Sequence, residues 1–210
     1  MTRIKICGLT TVEAVQHCAD VGVDAIGLVF YERSVRYVHP KAAQTLIDAL
    51  PPFVTTVGLF MDAKTSTVRD VLNQVKLDSL QFHGAESSAY CEQFNKPYLK
   101  AIPMLSVASV AYYMNNYASA QGFLLDTMAT GEAGGSGEAF DWSVIPEALP
   151  RPFILAGGLN PQNVANAIES TACYGVDVSS GVERIKGQKD PMLISEFVKQ
   201  VRQTEPDLCL

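Results

Sequence analysis

The chain of 210 residues is 48% hydrophobic and 18% charged, which is typical of a globular domain with a well-buried core. Its net charge of −6 and its lack of a basic run argue against nucleic acid or an anionic membrane surface as a partner. No apolar run reaches the roughly 18 residues of a membrane-spanning helix, and the N-terminus shows no signal-peptide pattern. Five scattered cysteines form no C-x-x-C pair, so we expect a cytoplasmic protein without a disulfide framework or zinc site.

Apolar periodicity predicts strands and helices that alternate along the whole chain. The chain begins with a strand marked by Ile4 and Ile6, and Thr10 with Glu13 then predicts a capping box that opens a helix. Seven further strands are predicted, at residues 24–30, 53–60, 79–83, 98–102, 121–126, 153–156 and 174–178. Helices are predicted between and after these strands. The first of them begins at Pro40, and the next has apolar residues at helical spacing from Val68 to Val75. Further helices are predicted at about 87–95 (a weaker pattern), at 106–116, from 140–142 (a short helix), after the cap Asn160 with Pro161 as the first residue, and after the cap Asp190.

Eight strand–helix units in one chain of this length average about 26 residues each, close to the smallest unit of a (β/α)8 barrel. No linker or break in composition divides them. We therefore predict an α/β protein that forms a single (β/α)8 TIM barrel domain over residues 1–210. The alternative is a doubly wound open sheet, which is disfavoured by the count of eight and by the absence of G-x-G-x-x-G after the first strand.

The first strand ends in an unusual combination of side chains. Lys5 and Cys7 share one face of the strand, because side chains alternate between faces, whereas parallel strands are normally apolar on both. This pattern predicts a polar site at the carboxyl end of the strand. The alternative is that Cys7 is a buried residue that packs as a small hydrophobe.

Barrel enzymes carry their sites at the carboxyl ends of the strands. The candidates at these ends are Cys7, Arg36, His83, Asp126, Gly157-Gly158 and Ser179-Ser180-Gly181. The last two strands end in glycine-bearing turns that lead toward helices. Glycine lets the backbone approach an oxyanion, and free N–H groups at a helix N-terminus bind phosphate. These turns predict a phosphate site, with simple turn glycines as the alternative.

Three of the candidates have titratable or charged side chains. Asp126 follows an apolar strand, so burial can raise the pKa of its carboxyl and keep it protonated as a general acid; a loop cap or an ion pair with Lys5 is the alternative. Arg36 suits a carboxylate ligand, although as an exposed loop charge it would contribute little to stability. His83 either binds substrate or makes a hydrogen bond inside the barrel mouth.

Seven motifs occur in an order that resembles the phosphoribosylanthranilate isomerase family over roughly residues 3–200. They are K-I-C-G-L-T at 5–10, S-V-R-Y-V at 34–38, Q-F-H-G at 81–84, L-L-D at 124–126, G-G-S-G-E-A-F-D-W at 134–142, L-A-G-G-L-N-P at 155–161 and D-V-S-S-G-V-E at 177–183. Leu59 and Phe82 are small apolar departures from the pattern. The absence of sequence ahead of the barrel resembles the monofunctional form of the family.

The resemblance implies an Amadori rearrangement of N-(5-phosphoribosyl)anthranilate to an open-chain ketosamine. It implies that Cys7 is the general base, that Asp126 is the general acid and that Arg36 lies near the anthranilate carboxylate. The other implied residues are Gly157, Gly158, Ser180 and Gly181 for the phosphate, His83 and Asp177 for further substrate contacts, and Gly134, Gly135, Ser136 and Gly137 for a mobile loop over the site.

This chemistry requires no metal, nucleotide or redox cofactor, and the implied partner is a small phosphosugar; the sequence makes no prediction of oligomeric state. A free thiol has a pKa of about 8.5, so Cys7 needs positive charge nearby to form a thiolate, and Lys5 is a candidate. One alternative is a non-catalytic phosphosugar-binding barrel. Another is the related histidine-pathway aldose–ketose isomerase, which uses two aspartates where this chain has Cys7.

Overall fold

Eight parallel strands close into a barrel at the centre of the molecule. The computed structural model describes residues 1–104, 107–127, 141–146, 149 and 151–204, and of residues 107–109 the backbone alone. The strands pair in chain order, and β1 closes the barrel by pairing with β8. They are β1 (Arg3–Cys7), β2 (Ala25–Val29), β3 (Thr55–Phe60), β4 (Ser79–Phe82), β5 (Tyr98–Pro103), β6 (Gly122–Asp126), β7 (Phe153–Leu155) and β8 (Gly175–Val178). The predicted barrel is therefore confirmed, and the open sheet is excluded because β1 and β8 leave no free edge between them.

Helices follow most of the strands and cover the outside of the barrel. They are α1 (Val12–Asp20), α2 (Pro40–Asp48), α3 (Thr65–Leu72), α4 (Ser88–Glu92), α5 (Val107–Asn116), α6 (Val164–Thr171) and α7 (Pro191–Gln203). Among the described residues after β6, a 3₁₀ helix at Trp142–Val144 stands in the helical position. Asp190 caps α7 as predicted, since its carboxylate accepts from the backbone N–H of Met192. No helix in the described ranges is long and apolar enough to cross a membrane.

The two faces of each strand have different surroundings. Ile4 and Ile6 are fully buried against the helical layer, where most of the hydrophobic core lies. Inside the barrel, a small separate cluster contains Ala101, Leu124 and Ala156. The large apolar core thus lies between strands and helices, which leaves the upper interior of the barrel free for polar side chains.

Several element boundaries differ from the predictions, three of them for clear local reasons. Thr11, not Thr10, caps α1, and its hydroxyl accepts from the N–H of Ala14. Helix α6 begins at Val164 rather than at Pro161, because Asn160 accepts from the N–H groups of the next residues and holds them in a turn. Strand β3 begins at Thr55, because Phe53 is fully exposed with a φ of 73°.

The chain after β8 forms a hairpin that the periodicity did not predict. A 3₁₀ helix at Ser180–Val182 leads into β9 (Glu183–Ile185), which pairs with β10 (Gln188–Lys189) before α7 begins. Gly187 turns the hairpin with a φ of 87°. The strands are too short to show an alternating pattern, yet they place Glu183 and Lys189 beside the barrel mouth.

Candidate active site

A cavity opens at the carboxyl ends of the strands and collects most of the predicted residues. Its lining includes Cys7, Arg36, His83, Asp126, Gly157, Gly158, Asp177 and Ser180. Gly181 lies behind the wall, where a Cβ would collide with the carbonyl oxygen of Leu159. The predicted loop of Gly134, Gly135, Ser136 and Gly137 lies outside the described residues.

A buried ion pair occupies the floor of the cavity. The Nζ of Lys5 lies 2.9 Å from Oδ1 of Asp177, and both side chains are buried. Burial would lower the pKa of Lys5, but Asp177 and Cys7 outweigh it and hold the pKa above its usual value. Lys5 therefore stays an ammonium ion, and the predicted alternative of an ion pair between Lys5 and Asp126 is wrong.

Cys7 lies next to this ion pair, on the same interior face of β1. Burial raises the pKa of its thiol, and the charges of Lys5 and Lys189 only partly oppose this effect. In the free site Cys7 is thus a protonated thiol at neutral pH, so the charge of Lys5 alone does not produce the thiolate.

Gly27 of β2 makes room for this arrangement, although the sequence analysis did not select it. A Cβ at this position would lie 2.7 Å from Sγ of Cys7 and 3.1 Å from Nζ of Lys5. A single glycine inside a strand often marks such a close approach. That signal was present in the sequence of the second strand.

Asp126 and His83 meet on the opposite wall of the cavity. Nε2 of His83 lies 3.2 Å from Oδ2 of Asp126, without the alignment of a full hydrogen bond. Burial alone would raise the pKa of Asp126, but the contacts with His83 and Thr127 outweigh burial and lower it. The expectation of a raised pKa is therefore wrong for the free site, where Asp126 is a carboxylate.

Arg36 is buried rather than exposed, which corrects the prediction. Its Nε and Nη2 donate to the two carboxylate oxygens of Glu183 at 2.7 and 2.9 Å. Lys189 donates to the same carboxylate at 2.8 Å. Arg36 therefore has a structural role, and its Nη1 donates no hydrogen bond within the described part of the chain.

Lys189 also connects the hairpin to the catalytic candidate on β1. Its Nζ donates to the carbonyl oxygen of Ser179 at 2.9 Å, and the Ser179 hydroxyl donates to the carbonyl oxygen of Cys7 at 3.0 Å. Sequence periodicity missed Glu183 and Lys189 as members of the site because nothing local identifies Arg36, 147 positions away, as the partner of Glu183.

The turns after β7 and β8 present unused backbone donors. Gly157 and Gly158 have φ values of 78° and 66°, and a Cβ on Gly157 would lie 2.9 Å from Oδ1 of Asp126. Among the hydrogen bonds of the described residues, none uses the backbone N–H of Gly157, Gly158, Ser180 or Gly181. Four free N–H groups in adjacent turns are typical of an anion site.

Two further features concern ligands of other kinds. No three His, Cys, Asp or Glu side chains in the described ranges are grouped as a metal site would require. Next to Arg36, the cavity wall is apolar where Val29, Leu59 and Met61 line it together with Tyr31. This wall is suited to contact the face of an aromatic ring.

Comparison with known proteins identifies similar chains over nearly the whole length. Residues 4–200 match the family model described as N-(5'-phosphoribosyl)anthranilate (PRA) isomerase. An N-(5'-phosphoribosyl)anthranilate isomerase of Pseudomonas fluorescens strain Pf0-1 is 50% identical over 200 residues, which cover 95% of this chain and 98% of the relative.

Solved structures of similar proteins share the fold. The phosphoribosyl anthranilate isomerase of Thermotoga maritima is 37% identical, with a TM-score of 0.87, and the match covers 97% of this chain and all of that one. A second crystal structure of a phosphoribosyl anthranilate isomerase, in complex with reduced 1-(o-carboxyphenylamino)-1-deoxyribulose 5-phosphate, is also 37% identical, covers the same shares and has a TM-score of 0.84.

The ion cluster around Glu183 predicts a pH-dependent contribution to stability. Burial would raise the pKa of Glu183, but Arg36 and Lys189 outweigh it and lower the pKa from 4.5 to about 2. Because the folded-state pKa lies below the unfolded value, this stabilisation is complete above pH 5 and is lost as the pH falls toward 2. We expect Glu183→Gln to lower the free energy of unfolding by about 3 kcal/mol at pH 7, and by less at pH 3.

Urea denaturation at pH 7 and pH 3 measures both effects. Glu196→Gln is the matched control, because Glu196 is partly exposed and its carboxylate contacts Lys199 and Gln200 of its own helix, so its loss should change stability little. A loss in Glu183→Gln that is equal at the two pH values would contradict the electrostatic origin.

The surroundings of Cys7 predict how its reactivity depends on pH. Because only the thiolate reacts, the rate of alkylation by iodoacetamide should rise with pH, with a midpoint above the ordinary thiol value of about 8.5. Lys5→Met should move the midpoint further up, whereas Asp177→Asn should move it down, since Asp177 raises the pKa of Cys7. Peptide mapping by mass spectrometry distinguishes Cys7 from the other cysteines. Shifts of the same sign in both variants would show that these charges do not control the thiol.

Proposed function

The chain belongs to the N-(5'-phosphoribosyl)anthranilate isomerase family, and from that premise we propose how its cavity performs the isomerisation in tryptophan biosynthesis. The substrate is N-(5'-phosphoribosyl)anthranilate, and the product is 1-(2-carboxyphenylamino)-1-deoxyribulose 5-phosphate. One observation carries the proposal: Cys7 and Asp126 line the same cavity as Gly157, Gly158 and Ser180, whose backbone N–H groups, like that of Gly181 behind the wall, make no hydrogen bond among the described residues. A proton acceptor, a proton donor and an anion site are thereby combined around one small substrate.

Two anionic groups hold the substrate at opposite ends. The phosphate accepts from the N–H groups of Gly157, Gly158, Ser180 and Gly181, as oxyanions do at turns with free donors. The anthranilate carboxylate binds the edge of Arg36 formed by Nη1 and Nη2, because Glu183 already occupies the edge formed by Nε and Nη2. The aromatic ring then lies against the apolar wall beside Arg36.

Ring opening requires a proton on the furanose oxygen. The C1–O bond breaks, the amine nitrogen supplies its lone pair to form a C=N iminium, and Asp126 delivers a proton to the departing oxygen. In the free site Asp126 is ionised, but the phosphate and carboxylate of the bound substrate bring like charge into the cavity. Like charge raises the pKa of a carboxyl group, so substrate binding favours the protonated acid.

The second step removes the proton from C2. Cys7 first loses its thiol proton to water, once the positive charge of the iminium adds to that of Lys5. The thiolate then accepts the C2 proton, the C–H electrons form the C1=C2 double bond, and the iminium electrons return to nitrogen. Lys5 stabilises the thiolate by its charge, and the iminium adds a second positive charge nearby. The resulting enol then tautomerises to the ketone, which completes the rearrangement.

We expect the purified protein to consume freshly prepared phosphoribosylanthranilate, which is followed by loss of its fluorescence. The serine hydroxyl of Cys7→Ser does not ionise near neutral pH, and the amide of Asp126→Asn cannot donate the proton to the ring oxygen. Each variant should therefore lower kcat by about 10²–10⁴-fold. Cys173→Ser and Asp24→Asn are matched controls, because Cys173 is buried near the amino end of β8 and Asp24 pairs with Arg3 at the amino end of the barrel. Their kcat should stay near that of the wild type.

The outcomes separate the alternatives. A wild-type protein that binds the substrate without converting it would be a non-catalytic phosphosugar-binding barrel. Near-wild-type kcat in either site variant, under conditions where chemistry is rate-limiting, would remove that residue from the mechanism. Loss of thermal stability together with activity would instead indicate a structural role for that side chain.

The phosphate assignment predicts a localised response to inorganic phosphate. In a ¹H–¹⁵N NMR titration, the amide signals of Gly157, Gly158, Ser180 and Gly181 should shift most, because their N–H groups are the proposed donors. Chloride at equal ionic strength is the control. Shifts concentrated elsewhere in the barrel would contradict the assignment.

A further inference from the structure

Gln81 is a fully buried polar side chain in the cavity wall to which neither proposed proton transfer gives a role. Its amide nitrogen lies 2.8 Å from Nδ1 of His83, and its Oε1 has no hydrogen-bond partner within the described structure. We propose that Gln81 is a positioning residue that fixes His83 as the neutral tautomer with its proton on Nε2, facing Asp126. The inference rests on the proposed function, because it assigns Gln81 to the orientation of the general acid.

The orientation of the Gln81 amide determines the tautomer. With the amide nitrogen toward His83, Nδ1 accepts a hydrogen bond and the ring proton must lie on Nε2. With the amide reversed, Nδ1 would carry the proton and Nε2 would present a bare lone pair 3.2 Å from Oδ2 of Asp126. That lone pair would repel the carboxylate, whereas an N–H in the same place attracts it.

The cost of unpaired atoms favours the same orientation. Either orientation leaves one end of the buried amide without a partner. A buried carbonyl oxygen that lacks a partner occurs in proteins more often than an unpaired N–H group. If the Gln81 amide were reversed, both hydrogens of its NH₂ group would lack a hydrogen-bond acceptor.

The backbone around His83 is fixed independently, from outside the cavity. Lys100 is fully buried behind β4, and its Nζ donates to the carbonyl oxygens of Phe82 and Gly84 at 3.2 and 2.6 Å. Its third contact is with Oε2 of Glu86 at 3.1 Å. Because the main chain on both sides of His83 is held, the remaining freedom is the flip and the tautomer of the ring, which Gln81 removes.

The fixed ring in turn orients the carboxyl group of Asp126. His83 faces Oδ2, while Oδ1 accepts from the hydroxyl of Thr127 at 3.3 Å. Without Gln81 the ring can turn and withdraw the Nε2 proton, and Asp126 loses one of its two neighbours. The phosphate and carboxylate contacts do not involve Gln81, so the loss should appear in kcat rather than in KM.

Two variants test the proposal with a spectroscopic measurement on the free protein. The chain has three histidines, and His83→Gln assigns the ring signals of His83 in ¹⁵N-histidine-labelled protein. The wild type should show a proton on Nε2 and a bare Nδ1. Gln81→Glu is nearly isosteric, but its carboxylate can only accept, so Nδ1 should become protonated. Gln81→Leu removes the amide, and both tautomers should then be populated.

Activity measurements complete the test. Both variants should lower kcat by about 10–100-fold, as misplacement of a catalytic group does, with KM within about twofold of the wild type. Ser79→Ala is the matched control, because Ser79 is a buried polar residue on the same face of β4 that bonds to Pro97 instead of His83. It should change neither the ring signals nor kcat.

A proton on Nδ1 in the wild type would overturn the proposal, and so would a Gln81→Glu variant with an unchanged tautomer or an unchanged kcat. If Gln81→Leu fails to fold, Gln81→Glu still decides the question. Failure of the wild type to isomerise phosphoribosylanthranilate would refute the proposed function separately, since the ring measurement needs no substrate.

Discussion

The ion pair between Lys5 and Asp177 is the interaction on which the rest of the site depends. The two residues are opposite each other in the register of β1 and β8, so the pair spans the seam at which the barrel closes. Loss of either partner would leave an uncompensated charge in a buried position, which is strongly unfavourable. Because Cys7 follows Lys5 on the same face, closure of the barrel and the electrostatic environment of the thiol have a common origin.

A second group of buried charges organises the rim of the cavity. Glu183 neutralises Arg36 and Lys189 together, and Lys189 reaches the backbone of Ser179. Both anions that hold the cations of the site, Asp177 and Glu183, therefore come from one short segment at the end of the barrel. The last strand and its hairpin thus determine where positive charge is available to an incoming anion.

Sequence periodicity predicted the features that depend on neighbours along the chain. The eight strands, the interior face shared by Lys5 and Cys7 and the cap at Asp190 follow from alternation, spacing and side-chain type. Sequence periodicity did not predict contacts between residues that are far apart along the chain. Burial of Asp126 was foreseen, but the contact with His83 that reverses the direction of its pKa shift was not, and Arg36 was taken as exposed because Glu183 lies far along the chain.

The unused donors in the turns after β7 and β8 belong to the main chain rather than to side chains. A substitution cannot delete a peptide N–H unless it introduces proline, so these donors remain as long as Gly181 lets the turn after β8 approach Leu159 in the turn after β7. The groups around Arg36, by contrast, are side chains and change with single substitutions. A single substitution can therefore alter the end of the cavity around Arg36 while the main-chain donors of the two turns stay in place.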